Sequence, residues 1–203
     1  KGYYFLGQII EKVSGKSLDD NLLELFKTVG MAKSSTANIF QGNHFAAAYT
    51  GTSTKFNLIE NMPKRLANKD ISVPAGGILS TINDLNLWNQ ALYNGRILNA
   101  ESLAKFSQKS ADRNHQILGK MDYGFGIMMN VEKPQAYFHT GYVKGSPSLN
   151  IYYPETKTSV IILSNIANEA LGKSAVFQPH KRIKKITDEV QSTVIKLRKE
   201  MSK

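Results

Sequence analysis

Apolar residues recur along the chain with two periods, and the change from one to the other separates helical from strand-forming stretches. Leu6, Ile9, Ile10 and Val13 stand at i, i+3, i+4 and i+7, so the spacing predicts a helix ending near Val13 with those four on its buried face. Ser14-Gly15 supplies the stop, Gly15 suiting the left-handed position beyond a helix end. Ser17, with an acid at Asp20, reads as the cap of a second helix whose inner face is Leu18, Leu22, Leu25 and Phe26 and which ends at Val29-Gly30-Met31. Between 34 and 70 the period dissolves into Ser, Thr, Asn and Gly, and most of that stretch reads as loop. A third helix starts at Thr81, buries Leu85, Trp88 and Leu92, and stops at Asn94-Gly95. A short fourth follows the cap Asn99, with Leu103 and Phe106 inward.

From Tyr123 the pattern turns to strands. Tyr123 to Met129 reads as one strand, Lys133-Pro134-Gln135 as a turn, and Tyr137-Phe138 as the start of the next. Leu149, Ile151 and Tyr153 alternate with Asn150 and Tyr152, and Pro154-Glu155-Thr156-Lys157 connects to Ser159-Val160-Ile161-Ile162-Leu163. That continuous apolar run predicts a strand buried on both faces. After Pro179 the helical period returns: Ile183, Ile186, Val190, Val194, Leu197 and Met201 form a single stripe, predicted to cover one face of the sheet.

Composition narrows the classes. At 203 residues, 41% apolar and 21% charged, the chain suits one globular domain. No apolar run approaches the length of a membrane span, so no transmembrane segment is expected. The absence of cysteine excludes disulfides and thiol chemistry. Six of the ten net positive charges lie between 173 and 203. A basic amphipathic helix is compatible with polyanion or membrane binding. No aromatic residues interleave with these basic ones, however, and a solvated charged face is the simpler reading, so no nucleic-acid partner is expected.

Three chemical motifs fail on their surroundings. Gly15-Lys16-Ser17 and Gly172-Lys173-Ser174 lack the earlier glycine of a phosphate loop, having Ile10 and Ala167 there. The histidines at 44, 115, 139 and 180 have no metal-ligand spacing, and no metal or other cofactor is expected. Ser102-Leu103-Ala104-Lys105 has nucleophile spacing but falls inside the capped helix after Asn99, which explains it structurally. No Gly-x-Ser-x-Gly elbow occurs.

One motif survives. His139-Thr140-Gly141 follows Tyr137-Phe138 and precedes a loop with Gly145 and Pro147. A hydrogen-bonding ring and a hydroxyl projecting from a strand can meet a substrate, and a glycine lets substrate backbone come close. The triplet on paired strands resembles the third signature of the serine β-lactamase and penicillin-binding protein superfamily, in its class C-like branch. Gly2-Tyr3 with Leu6-Gly7, the block Ala75-Gly76-Gly77 to Leu85, and Leu163-Ser164-Asn165 resemble further family runs; Thr28-Val29-Gly30-Met31 departs from its usual Pro-Leu-Gly-Met.

The resemblance implies an α+β fold, an antiparallel sheet flanked by helices, of β-lactamase/transpeptidase type. Residues 1–203 would be the C-terminal part of one such domain, with sheet strands over 123–168 and the terminal helix, 180–202, packing on the sheet. It further implies that Thr140, Gly141 and Asn165 bind substrate, that the Tyr142 N–H supports an oxyanion, and that His139 positions polar groups or transfers a proton. The Ser-x-x-Lys nucleophile and the Tyr-x-Asn base of the family fall outside this chain, so the partner expected is the missing N-terminal part of the domain. The substrate implied is a small amide, ester or peptide, processed through an acyl-enzyme, in the periplasm or outside the cell; histidine in place of lysine favours a peptidase or esterase over a β-lactamase. The chain alone is then expected to be inert and to leave the 160–163 strand with an open edge. The rival expectation is a non-catalytic binding or interaction module of the same fold, using its basic terminal helix.

Overall fold

A computed structural model describes residues 2–42, 44–52, 54–60, 73–115, 117–170 and 172–202. The part of the predicted loop at 61–70 lies outside the described residues. Helix α1 spans Gly2–Ser14 and α2 spans Leu18–Val29. The Ser17 hydroxyl accepts the Asp20 N–H at 3.0 Å, and Gly30 closes α2 in the left-handed region with φ 89°. Within the predicted loop run three short strands, β1 (Ser35–Thr36), β2 (Ala48–Gly51) and β3 (Phe56–Ile59). Helix α3 (Val73–Gly76) and strand β4 (Ile78–Leu79) lead to α4 (Ile82–Tyr93), capped by Thr81 as predicted, and α5 (Ala100–Phe106) is capped by Asn99. Phe26, Val29, Met31 and Ala91 bury α2 against α4, with Trp88 at the margin.

The main sheet is a six-stranded antiparallel meander in the order β10-β9-β8-β7-β6-β5. Its strands are β5 (Ala111–His115), β6 (Gly119–Tyr123), β7 (Met128–Met129), β8 (Tyr137–Val143), β9 (Ser146–Tyr153) and β10 (Thr158–Leu163). The predicted strand 123–129 is in fact two strand ends joined by a turn, because Gly126 takes φ 80° and breaks the extended run. Strand β11 (Ile166–Ala167) joins β2 and β3 in a second, three-stranded sheet, and β1 pairs with β4.

Side chains alternate across the main sheet. On one face Tyr93 of α4 stacks on Tyr152 and Tyr137, with ring centroids 4.4 and 5.1 Å apart, and Asn89 exchanges two amide hydrogen bonds with Asn150. On the other face Met121, Met128, Phe138, Leu149, Ile151 and Tyr153 form the largest core cluster. Helix α6 (Gly172–Val176) precedes α7 (Gln178–Met201), which lies against β9 on that second face.

Three burial expectations are corrected. Leu6, Ile9, Ile10 and Val13 of α1 are exposed, Val13 at 82%; the residue α1 buries is Gly7, where the helix passes over Pro74. The α7 stripe also faces outward: Ile183, Ile186, Val190 and Leu197 are exposed, while His180, Lys184 and Gln191 are buried. Lys184 Nζ donates to Asn130 Oδ1 (2.6 Å) and Asp188 Oδ2 (2.7 Å) and lies 4.5 Å from the centre of the Phe138 ring. The Tyr153 hydroxyl donates to Asp188 Oδ1 at 2.7 Å, so the polar face of α7 is satisfied where it meets the sheet. Finally, β10 is only half-buried on both faces, because among the described residues β9 is its sole strand partner in the main sheet.

Candidate active site

Strand β8 carries His139, Thr140, Gly141 and Tyr142, and its two edges differ. On the β9 side every residue from Tyr137 to Val143 is paired. On the other side β7 reaches only Tyr137 and Phe138, so residues 139–143 have no strand partner there among the described residues. Such an edge offers backbone groups to an extended ligand. The β8–β9 hairpin turns at Lys144-Gly145; Gly145 has φ 79°, and a Cβ there would lie 2.5 Å from Ile59 Cδ1 and 3.1 Å from the Tyr49 carbonyl oxygen. This contact seats the hairpin tip on β2 and β3.

Beside the hairpin lies a cavity of about 630 Å³. Gly141, Tyr142, Ser148, Ser164 and Asn165 line one wall, and Lys33, Phe45, Gly76, Ser80 and Thr81 are among the residues opposite. The cavity therefore joins Gly141, Tyr142 and Asn165 of the predicted set; His139 and Thr140 are outside its lining, although His139 shares the sheet face of Gly141. A Cβ on Gly141 would come within 2.6 Å of Ser148 Oγ, which fills the space a side chain would take.

The Asn165 carbonyl accepts the Tyr49 N–H at 2.8 Å and its Nδ2 donates to the Ala47 carbonyl at 2.8 Å. One Nδ2 proton and Oδ1 remain for a ligand. The Tyr142 ring leans edge-on against Phe177 and its hydroxyl donates to Glu169; burial first, and that bond second, push the phenol up to about 12. Its side chain is thus committed to Phe177 and Glu169.

His139 Nδ1 lies 2.7 Å from the Thr140 carbonyl oxygen, and Nε2 lies 3.3 Å from the Tyr123 hydroxyl, which is 3.2 Å from the Tyr3 hydroxyl. Desolvation lowers the imidazole below its ordinary value; the Thr140 carbonyl opposes this and Arg113 adds to it. In α5 the Ser102 N–H caps onto Asn99 and Lys105 pairs with Glu101 at 2.7 Å, so Ser102 has no basic partner in Lys105.

Lys33, Ser80, Ser148 and Ser164 meet at this cavity only through long-range folding, with nothing in their local sequence to mark them as a group. Ser34 and Ser80 hydroxyls are 2.7 Å apart, and buried Asp84 accepts both the Ser34 hydroxyl and the Lys33 N–H. The one local signal is Asp84, an acid in the first turn of the helix that Thr81 caps. Among the described residues no helix is long and apolar enough to cross a membrane.

An α+β chain with a meander sheet, helices on both of its faces and this cavity beside the β8–β9 hairpin is the β-lactamase and transpeptidase architecture. The chain belongs to the β-lactamase family, whose model matches residues 2–176. It is similar to a protein named "Putative penicillin-binding protein PbpX" in Bacillus subtilis (strain 168), 25% identical over 169 residues, which cover 83% of this chain and 39% of that protein. A second penicillin-binding protein of that organism is 26% identical over 196 residues, covering 90% of this chain and 42% of its own length. The chain thus spans about two-fifths of these relatives. Among solved structures, the D-amino acid amidase from Ochrobactrum anthropi SV3 complexed with L-phenylalanine amide superposes with TM-score 0.74 at 20% identity, over 97% of this chain and 57% of that one. The octameric penicillin-binding protein homologue from Pyrococcus abyssi gives 0.69 at 24% identity, over 87% and 40%.

Proposed function

We propose that these residues form one wall of the acyl-transfer site of a serine hydrolase in the class C-like branch. The nucleophile and general base would be carried by polypeptide outside this chain. The observation that carries the reading is the unpaired stretch 139–143 of β8, whose Gly141 and Tyr142 open onto the cavity that Asn165 shares. A carbonyl held along that edge meets the Tyr142 N–H, a fixed donor where negative charge develops. Thr140 and the free half of the Asn165 amide then hold the substrate's polar end, and His139 handles a proton beside them. The acyl group passes to the external serine and then to water. A small amide, ester or peptide is the substrate class, the D-amino acid amidase likeness adding weight to amides. We extend the reading to a periplasmic or extracellular location.

The partner in this scheme is the remainder of the domain, and three uncovered surfaces support it. They are the apolar face of α1, the outer edge of β10 and the α7 stripe. Protein extended to the length of its relatives is expected to hydrolyse D-phenylalanine amide and p-nitrophenyl acetate in preference to a chromogenic cephalosporin. Thr140→Val should cut kcat/KM at least tenfold, one hydrogen bond in the transition state being worth about 1.4 kcal/mol or more. Full-length protein inert on every substrate, but retained on an anionic resin through α7, would contradict the hydrolase and favour the binding module.

A further inference from the structure

We infer that Tyr123 is a positioning residue for His139, and that Tyr3, Tyr123 and His139 form one directional hydrogen-bond chain. The direction follows from what each atom can do. A carbonyl oxygen only accepts, so the 2.7 Å approach of His139 Nδ1 to the Thr140 oxygen puts the ring proton on Nδ1. In the neutral ring Nε2 is then a bare acceptor, and the Tyr123 hydroxyl 3.3 Å away must donate to it. The Tyr123 oxygen, its proton used, accepts the Tyr3 hydroxyl at 3.2 Å. The order is Tyr3 to Tyr123 to Nε2, then Nδ1–H to the Thr140 carbonyl.

The surroundings keep this order. Arg113 of β5 lies 5.0 Å from the centre of the Tyr123 ring, and His115 stands on the same strand. These are the cationic or titratable groups that face the pair from β5, and Tyr3 is the one from α1. Burial, then Arg113, disfavours imidazolium, while burial and the Tyr3 bond push the Tyr123 phenol up to about 12, so both groups rest neutral. Gly126 makes room: a Cβ there would stand 3.2 Å from the Tyr3 hydroxyl, and its φ of 80° already requires glycine. Tyr3 therefore ties α1 to the sheet through the relay itself.

Protonation reverses the chain. A proton delivered to the Tyr3 oxygen lets the Tyr3 proton pass to Tyr123 and the Tyr123 proton pass to Nε2. One O–H bond forms and one breaks at each phenol, and the sole net change is N–H formation at His139. The imidazolium then donates to Tyr123, Tyr123 to Tyr3, and the Tyr3 hydroxyl is released outward as a donor. His139 can thus take up a proton without touching its source.

This use in catalysis rests on the proposed site; the hydrogen-bond chain does not, and the two fail separately. The test is long-range ¹H–¹⁵N correlation of the histidine rings in this chain, near pH 8 and through a titration, for wild type, Tyr123→Phe and Tyr3→Phe. Wild type should show His139 protonated at Nδ1 with a hydrogen-bonded Nε2. Tyr123→Phe should move Nε2 towards the value of a free lone pair and displace the His139 midpoint, and Tyr3→Phe should move Nε2 less in the same direction. His180, whose Nε2 lies 3.2 Å from Ser164 Oγ on the other side of the sheet, should stay in place in both. A wild-type proton on Nε2, or a His139 spectrum unmoved by both substitutions, would overturn the chain. In the extended protein Tyr123→Phe should lower kcat and shift its pH profile with KM held; unchanged kcat beside the expected spectra would overturn the site role of His139 alone.

Discussion

At Gly7 the backbone of α1 passes so close to α3 that a Cβ would lie 2.4 Å from Pro74 Cγ and 3.0 Å from its Cβ. A proline ring cannot swing aside. Gly7→Ala is therefore expected to destabilise the chain by about 1–3 kcal/mol through overpacking, even though alanine is the better helix former, as read by urea midpoint. The histidines set a pH dependence. His115, His139 and His180 are all lowered from the usual 6.5, desolvation being the first cause in each, and His180 is 1% exposed. Above 6.5 both folded and unfolded rings are neutral and contribute no slope. As the pH falls below 6.5 the unfolded chain binds protons that the folded chain refuses, so stability should drop through the lowered folded values. Midpoints that rise on acidification from 7 to 5 would contradict this, and His180→Gln should flatten the slope.

Helix α7 shows why an element can be found in sequence while its orientation is not. Ile183, Ile186, Val190, Val194 and Leu197 follow the helical period, but so do His180, Lys184, Asp188 and Gln191 on another side of the cylinder. Period alone cannot choose between them. Lys184 enters because its ammonium lies over the Phe138 ring and meets Asn130 as well as Asp188; Asp188 is its i+4 neighbour, but Phe138 and Asn130 reach it only after folding. The expected ranking of substitutions is accordingly inverted relative to a buried apolar stripe. Val190→Asp, at 51% exposure, should change stability by no more than about 0.5 kcal/mol. Asp188→Ala should cost about 2–3 kcal/mol, leaving Lys184 and the Tyr153 hydroxyl without their carboxylate. Thermal denaturation of both variants decides it. The caps at Ser17, Thr81 and Asn99 were legible because capping is local, and the short strands β1 to β3 were not, because two to four residues in a polar stretch carry no period.

Across the whole molecule, apolar surface remains where the sequence pattern calls for core. Tyr4, Phe5, Leu6, Ile9 and Ile10 on α1 are exposed, β10 keeps an unpaired outer edge in the described sheet, and Ile186 and Val190 face outward from α7. The family, the antiparallel strands from Tyr137 to Leu163 and the place of the His-Thr-Gly triplet on one of them were readable from residue pattern and resemblance; β5 and most of β6 were not, since Ala111–His115 and Gly119–Tyr123 are largely polar and carry no clear alternation. The cavity was not, since Lys33, Ser80, Ser148 and Ser164 come together from four separate segments. Together with relatives more than twice as long, these surfaces support a site completed by polypeptide outside residues 1–203. The most direct measurement is intact mass after treatment with a reactive fluorophosphonate, for this chain alone and for this chain combined with the N-terminal part of the domain that the proposed function calls for. No adduct is expected on the chain alone, and one stoichiometric adduct, on a serine of the added part, is expected in the combination. A stoichiometric adduct on a serine of this chain, Ser102 or Ser164 included, would contradict this.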